Sequence, residues 1–191
     1  MEYQVQSGWL RGVRRVPSPH CNSRPDDAEV DLLVIHSISL PPGEYGGSYI
    51  DEFFLGHLDI DAHPYFSEIG TLRVSAHLLI NRDGLVTQYV PFDGRAWHAG
   101  QSTFCGRENC NDFSIGIELE GLETDTFTEA QYRSLAEVSV AIMKAYPAID
   151  KTRITGHSDI APGRKLDPGP GFDWTRYFLR LDQLTGDAPS E

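Results

Sequence analysis

The strongest apolar run in the chain, "VDLLVIH" at residues 30–36, is rich in β-branched positions. It is too short for a helix and predicts a buried strand ending at His36. "SISLPPGEYGG" follows, a Pro/Gly loop long enough to serve as a lid, and then "SYIDEFFLGHL", where Ser48 and Asp51 have capping-box spacing for a short helix. "SAHLLINRDGLVTQYVPF" predicts a hairpin that turns at Asp83-Gly84 and stops at Pro91. In "FSIGIELEG" the alternation is strict: Ile115, Ile117 and Leu119 share one face, and Ser114, Gly116, Glu118 and Glu120 share the other. From Thr128 to Tyr146 the period becomes helical, with Thr128 and Gln131 at capping-box spacing and Pro147 ending the run. "TRIT" predicts a brief strand that delivers His157, and Asp173 is placed to cap a last helix through "WTRYFLRL". Strands and helices interleave while the hairpin demands an antiparallel pair, so the expected class is α/β: a mixed sheet with helices on its faces.

The length, 191 residues, suits one domain with a real core. A single unit over about residues 8–184 is expected, followed by a loose polar tail, "TGDAPSE". The opening "MEYQVQSGWLRGVRRV" has no basic segment leading into an apolar stretch, and no run approaches the roughly 20 apolar residues of a membrane span. A soluble, cytoplasmic, monomeric protein is the expectation. Its formal charge of −12, from 28 acidic against 16 basic residues, disfavours nucleic acid and anionic membranes as partners. Cys21, Cys105 and Cys110 are too few and odd in number for a disulfide framework, so free thiols are expected. Cys105 and Cys110 have no second Cys/His pair with which to build a zinc site.

Candidate chemistry gathers at "GHSDIAPGRKLDPG", residues 156–169, where Pro162, Gly163, Pro168 and Gly169 exclude regular structure around His157, Asp159, Lys165 and Asp167. His36 and His157 both stand at predicted strand ends, where ligands gather in layered α/β folds. Two imidazoles and one carboxylate make a three-ligand zinc set with the fourth position open, the arrangement of catalytic zinc; a single strand-end histidine would be read as backbone-bonded instead. Asp159, His77 and His98 are rival ligands: Asp159 is also placed to cap the turn, His77 to bond within the sheet, and His98, beside Trp97 in "RAWHAG", to touch substrate. Glu118 is a carboxylate in the middle of a strand with both sides covered. Such a group is costly to bury unless paired or used, and beside a metal it gains a role as general base; a solvated face is the alternative, and Glu120 should then behave alike. Lys165, on the same rigid loop as Asp167, is either a surface lysine or a cation aimed at the reacting oxygen.

Seven segments carry a resemblance over about Gly8 to Leu184: "LLVIHSISLPPGEYGG", "AHPYF", "RVSAHLLINRDG", "QYVPFDGRAWHAG", "CNDFSIGIELEG", "YPAI" and "TGHSDIAPGRKLDPGPGFDW". Together they resemble the type-2 amidase family of N-acetylmuramoyl-L-alanine amidases, most closely its cytoplasmic AmpD branch. The resemblance implies a mixed sheet flanked by helices and a Zn2+ cofactor on His36, His157 and Asp167. It implies Glu118 as general base, Lys165 as the cation polarising the scissile carbonyl, and Tyr65 near the site. The implied substrate is a 1,6-anhydro-muramic acid carrying a short peptide from cell-wall turnover. Ser37 departs from the asparagine frequent after the first histidine in relatives, which alters one substrate contact. Because such stem peptides are anionic, Arg73 and Arg107 are candidate anchors, and His98 a further substrate contact. A muropeptide-binding module would have no reason to keep Glu118 and Lys165 alongside the ligand set, and a lytic enzyme acting on intact wall would require export.

Overall fold

The computed structural model describes residues 3–186, so the expected polar tail lies, from residue 187 onward, outside the described residues. A six-stranded sheet is built from β1 (Arg14–Arg15), β2 (Leu32–Ile38), β3 (Leu78–Ile80), β4 (Val86–Gln88), β5 (Ser114–Glu120) and β6 (Ile154–Gly156). Its order is β6-β2-β5-β3-β4-β1. The pairs β6/β2, β2/β5, β5/β3 and β4/β1 are parallel, and β3/β4 is the antiparallel hairpin predicted around Gly84. The helices are α1 (Tyr49–Leu55), α2 (Phe66–Ile69), α3 (Glu129–Ala145), α4 (His157–Ile160) and α5 (Trp174–Thr185). This is the mixed sheet with flanking helices that the sequence predicts.

The alternation read from the sequence decides which face of the sheet is core and which carries chemistry. Leu33, Ile35, Ile115, Ile117 and Leu119 are fully buried against Leu135, Val138 and Ile142 of α3 and Tyr177 and Leu181 of α5. The intervening residues of β2 and β5 face the other way. There Leu32 and Val34 pack with Ala99, Cys110, Phe113 and Ile160, and beyond them along the strands the apolar layer gives way to His36 and Glu118. In the parallel register His36 lies opposite Glu118, so the sheet itself sets these two side by side.

The capping box at Thr128 forms as spaced: its hydroxyl accepts from the Gln131 amide, and the Gln131 side chain accepts from the Thr128 amide. The one expected at Ser48 does not. Ser48 is already in helical conformation, its hydroxyl donates to Glu52, and Asp51 is drawn off by Arg14 (2.6 Å) and the Tyr89 hydroxyl (2.5 Å). The strand expected to end at His36 continues two residues further, to Ile38, because Gly121 closes the ladder by donating to the Ile38 carbonyl. His157 is not in a loop; it opens the one-turn helix α4, directly after β6. The thiols of Cys21, Cys105 and Cys110 are free, as expected.

If α3 is held by its apolar stripe, Leu135→Ala should lower unfolding free energy by about 3 kcal/mol in urea titration. Leu179→Ala, at a half-exposed position of α5, should change it by less than about 0.5 kcal/mol.

Candidate active site

His36 on β2 and His157 at the start of α4 turn their Nδ1 atoms toward one another at 3.0 Å. One oxygen of Asp167, Oδ2, completes a triangle, 3.0 Å from each nitrogen. All three residues are buried. Asp167 arrives there because its loop is fastened at both ends: Ser158 donates its amide to the Asp167 carbonyl at 2.9 Å, and the Gly171 amide donates to the Glu123 carbonyl at 3.1 Å. A Cβ on Gly171 would stand 1.8 Å from the Asp125 carbonyl oxygen, so only glycine lets the loop seat this closely. The rival carboxylate, Asp159, is engaged elsewhere, accepting from the Gly156 amide (2.9 Å) and the Thr155 hydroxyl (3.0 Å) at the α4 turn. His77 accepts from the Gly116 amide through Nδ1 and faces the Gly94 carbonyl through Nε2, the role within the sheet.

The donor triangle fits a divalent cation on its own chemistry. His157 Nε2 lies 3.0 Å from the Ala99 carbonyl, which can only accept, so that nitrogen carries the proton and Nδ1 is a bare lone pair. That lone pair points at a carboxylate oxygen and at a second imidazole nitrogen inside a buried site, an arrangement that is repulsive until a cation sits among the three. Ligands about 2.0–2.1 Å from a tetrahedral centre lie about 3.3–3.4 Å apart, close to the spacing seen here. Burial, reinforced by His157, pushes the His36 imidazole down to about 4, which leaves its ring able to offer a lone pair. Burial likewise pushes His98 and His77 well below the usual histidine range.

The triad forms part of the wall of a cavity of about 520 Å³ that also takes in Glu118, Lys165, Tyr65, Ser37 and His98. Apolar Ile69, Leu72, Leu122 and Leu166 line the rest together with Arg164. Glu118 and Glu120 share a strand face but not an environment. Glu120 is 3% exposed and accepts from the Gly46 and Arg82 amides at 2.6 and 3.0 Å, a structural role. The Glu118 Oε2 is buried with no partner, as is the Ser37 hydroxyl. Burial pushes the Glu118 carboxyl well up, Asp167 pushes it further, and Lys165 works against both.

Two expected residues fall elsewhere. Arg107 is turned away from the cavity, paired with Asp31 at 2.7 Å and stacked on Phe113 with its guanidinium carbon 3.8 Å from the ring centre. Arg73 is exposed; its neighbours Leu72 and Val74 line the cavity and it does not. The arginine that does is Arg164, which sequence reading passed over beside Lys165; it donates to the Ala99 and Gln101 carbonyls at 2.6 Å each. His98 lines the cavity, but its ring nitrogens are taken, Nδ1 by His36 at 2.9 Å and Nε2 by the Ser114 hydroxyl at 3.2 Å.

Known proteins share both sequence and shape with this chain. The family model described as N-acetylmuramoyl-L-alanine amidase matches residues 26–170. The 1,6-anhydro-N-acetylmuramyl-L-alanine amidase AmpD of Escherichia coli (strain K12) is 62% identical over 181 residues, covering 95% of this chain and 98% of that protein. A crystal structure of a selenomethionine AmpD derivative superposes with a TM-score of 0.90 at 60% identity, covering 93% of this chain and 98% of the other. The E. coli amidase AmiD, solved in complex with anhydro-N-acetylmuramic acid-L-Ala-D-γ-Glu-L-Lys, superposes with a TM-score of 0.58 at 28% identity, covering 94% of this chain and 65% of that one. With the family model spanning most of its length, the chain belongs to the N-acetylmuramoyl-L-alanine amidase family.

Proposed function

We propose that the chain is a zinc-dependent amidase of cytoplasmic peptidoglycan recycling. It hydrolyses the amide between the lactyl group of 1,6-anhydro-N-acetylmuramic acid and the L-alanine of a stem peptide. The observation that carries the reading is the buried triangle of His36 Nδ1, His157 Nδ1 and Asp167 Oδ2, sharing one cavity with the unpartnered carboxylate oxygen of Glu118. The names of the relatives and the muropeptide bound by AmiD support the choice of substrate.

His36, His157 and Asp167 would hold the zinc. Once bound, it supplies Lewis acidity that makes water a nucleophile near neutral pH and polarises a carbonyl. Glu118, in van der Waals reach of the same cavity and short of a hydrogen-bond partner, takes a proton from the attacking water. The carbon–nitrogen bond breaks as Glu118 returns that proton to the departing amine, which leaves as the free N-terminus of L-alanine. Lys165 stands on the cavity wall with its loop fixed by Asp167 and offers its ammonium to the carbonyl oxygen as negative charge grows there. The unpartnered Ser37 hydroxyl and the Tyr65 ring are available to position the lactyl and sugar groups. Arg73 and Arg107, outside the cavity, are left with a long-range electrostatic effect on an anionic peptide rather than direct anchoring.

A soluble anhydro-muropeptide incubated with the protein should yield free sugar acid and a peptide of unblocked L-alanine, read by mass spectrometry, and intact sacculi should be cut far more slowly. Dialysis against a strong chelator should abolish the reaction and added zinc restore it; undiminished cleavage by metal-free protein overturns the mechanism. Glu118→Gln should keep stoichiometric zinc by atomic absorption and lower kcat by about 10²–10⁴; lost zinc would make Glu118 a ligand instead. Asp167→Ala should release zinc to a competing chelator, whereas Asp159→Ala should retain it and lose stability, and the opposite pattern would reverse the two assignments.

A further inference from the structure

An imidazole can bind a cation through Nδ1 only when its proton sits on Nε2. For His157 the Ala99 carbonyl sees to that. For His36 the matter is open at first contact, because Nε2 faces another imidazole nitrogen, His98 Nδ1, at 2.9 Å, and a pair of neutral rings can share one proton in either direction. The direction is decided one residue further on. His98 Nε2 lies 3.2 Å from the Ser114 hydroxyl oxygen, and the single proton of that hydroxyl is committed at 2.5 Å to the Cys110 carbonyl. The Ser114 oxygen is left as an acceptor, so the His98 proton sits on Nε2. His98 Nδ1 is then bare and accepts from His36 Nε2–H, and the lone pair of His36 faces Asp167 and His157.

We infer that Ser114 and His98 form a proton-ordering relay that locks His36 in its metal-ligating tautomer, which makes His98 a positioning residue and not a substrate contact. The inference rests on the reading of the triad as a metal site. Its force is greatest before the metal arrives. In the empty triangle Asp167 draws a proton toward Nδ1 of either histidine, which would block the ligating lone pair; the relay opposes this at His36 as the Ala99 carbonyl does at His157.

The surroundings of His98 are built for the task. Gly116, its neighbour on β5, carries no side chain where the ring lies: a Cβ there would stand 2.6 Å from both Cγ and Nδ1 of His98. One oxygen of the buried Asn111, Oδ1, accepts from the His98 amide at 3.0 Å and from the Ala99 amide at 2.8 Å. A single side chain thereby holds the ring that orients His36 and the carbonyl that orients His157.

Two-bond proton–nitrogen NMR of the metal-free protein at mildly alkaline pH reports the tautomer of each histidine. The expected result is Nε2–H at His36, His98 and His157 in the wild type. In Ser114→Ala, His98 and His36 should become tautomer mixtures while His157 stays unchanged in the same spectrum, a contrast that general loosening of the fold would not produce. Zinc affinity by chelator competition should fall about 10-fold in Ser114→Ala, with KM of the zinc-saturated enzyme unchanged. His98→Gln, whose amide oxygen can still accept from His36, should hold zinc several-fold more tightly than His98→Leu. His36 carrying its proton on Nδ1 in the wild type, or Ser114→Ala with wild-type tautomers and affinity, would overturn the relay. A wild type with the expected tautomers that takes up no zinc would instead overturn the metal reading and leave the proton order supported.

Discussion

Two imidazole nitrogens and a carboxylate oxygen meet within 3.0 Å of one another in the interior. Such a cluster costs free energy in an empty protein, since each group has given up water for neighbours of the same polarity. It persists because the scaffold overdetermines it. Two adjacent parallel strands, β2 and β6, deliver the histidines, one from within a strand and one from the helix that follows. The carboxylate comes from a loop bonded at one end to α4 and at the other to the 123–125 segment. None of these anchors can relax without disturbing backbone hydrogen bonds elsewhere, so the electrostatic tension stays focused where a divalent cation relieves it.

The same sheet parity that places His36 also separates structure from chemistry. On β2 and β5, Leu33, Ile35, Ile115, Ile117 and Leu119 join the core beneath α3 and α5, and the residues between them face the other way. Along β5 that face carries Ser114, Gly116, Glu118 and Glu120 in succession, and each has its own task. Ser114 receives the His98 proton, Gly116 leaves room for the ring, and Glu118 enters the cavity. Glu120 ties down the loop at Gly46 and the turn at Arg82. Four alternate residues of one strand thus organise the site from its support to its rim.

Much of this was legible in the sequence, because short-range physics writes itself into local pattern. The alternation of β5, the capping box at Thr128, the hairpin at Gly84 and the apolar run before His36 all follow from one segment's own preferences. What the sequence did not reveal depends on partners far along the chain. Glu118 and Glu120 look identical in "SIGIELEG"; they differ only because amides at 46 and 82 reach the second and nothing reaches the first. Asp51 has the spacing of a cap but is diverted by Arg14 and Tyr89, 37 and 38 residues away. Arg107 has the charge of a substrate anchor but finds Asp31 and Phe113 first. Asn111 and Ser114 carried no chemical signal at all, since their importance lies in holding His98 and Ala99.

The charge balance acquires a local meaning once the site is placed. A formal charge of −12 would repel an acidic ligand from most approaches. Around the cavity basic groups gather: Lys165 and Arg164 lie on its wall, and Arg82 stands at its Gly121 edge. A divalent cation held by His36, His157 and Asp167 would add positive charge to the same wall. Field lines from a low-dielectric recess converge on its mouth, so an acidic exterior with basic groups on the cavity wall favours approach of an anion from the cavity's open side. Net charge and site charge are therefore parts of one arrangement: the first disfavours indiscriminate anion binding, and the second leaves the cavity wall as a place where an anion is less repelled.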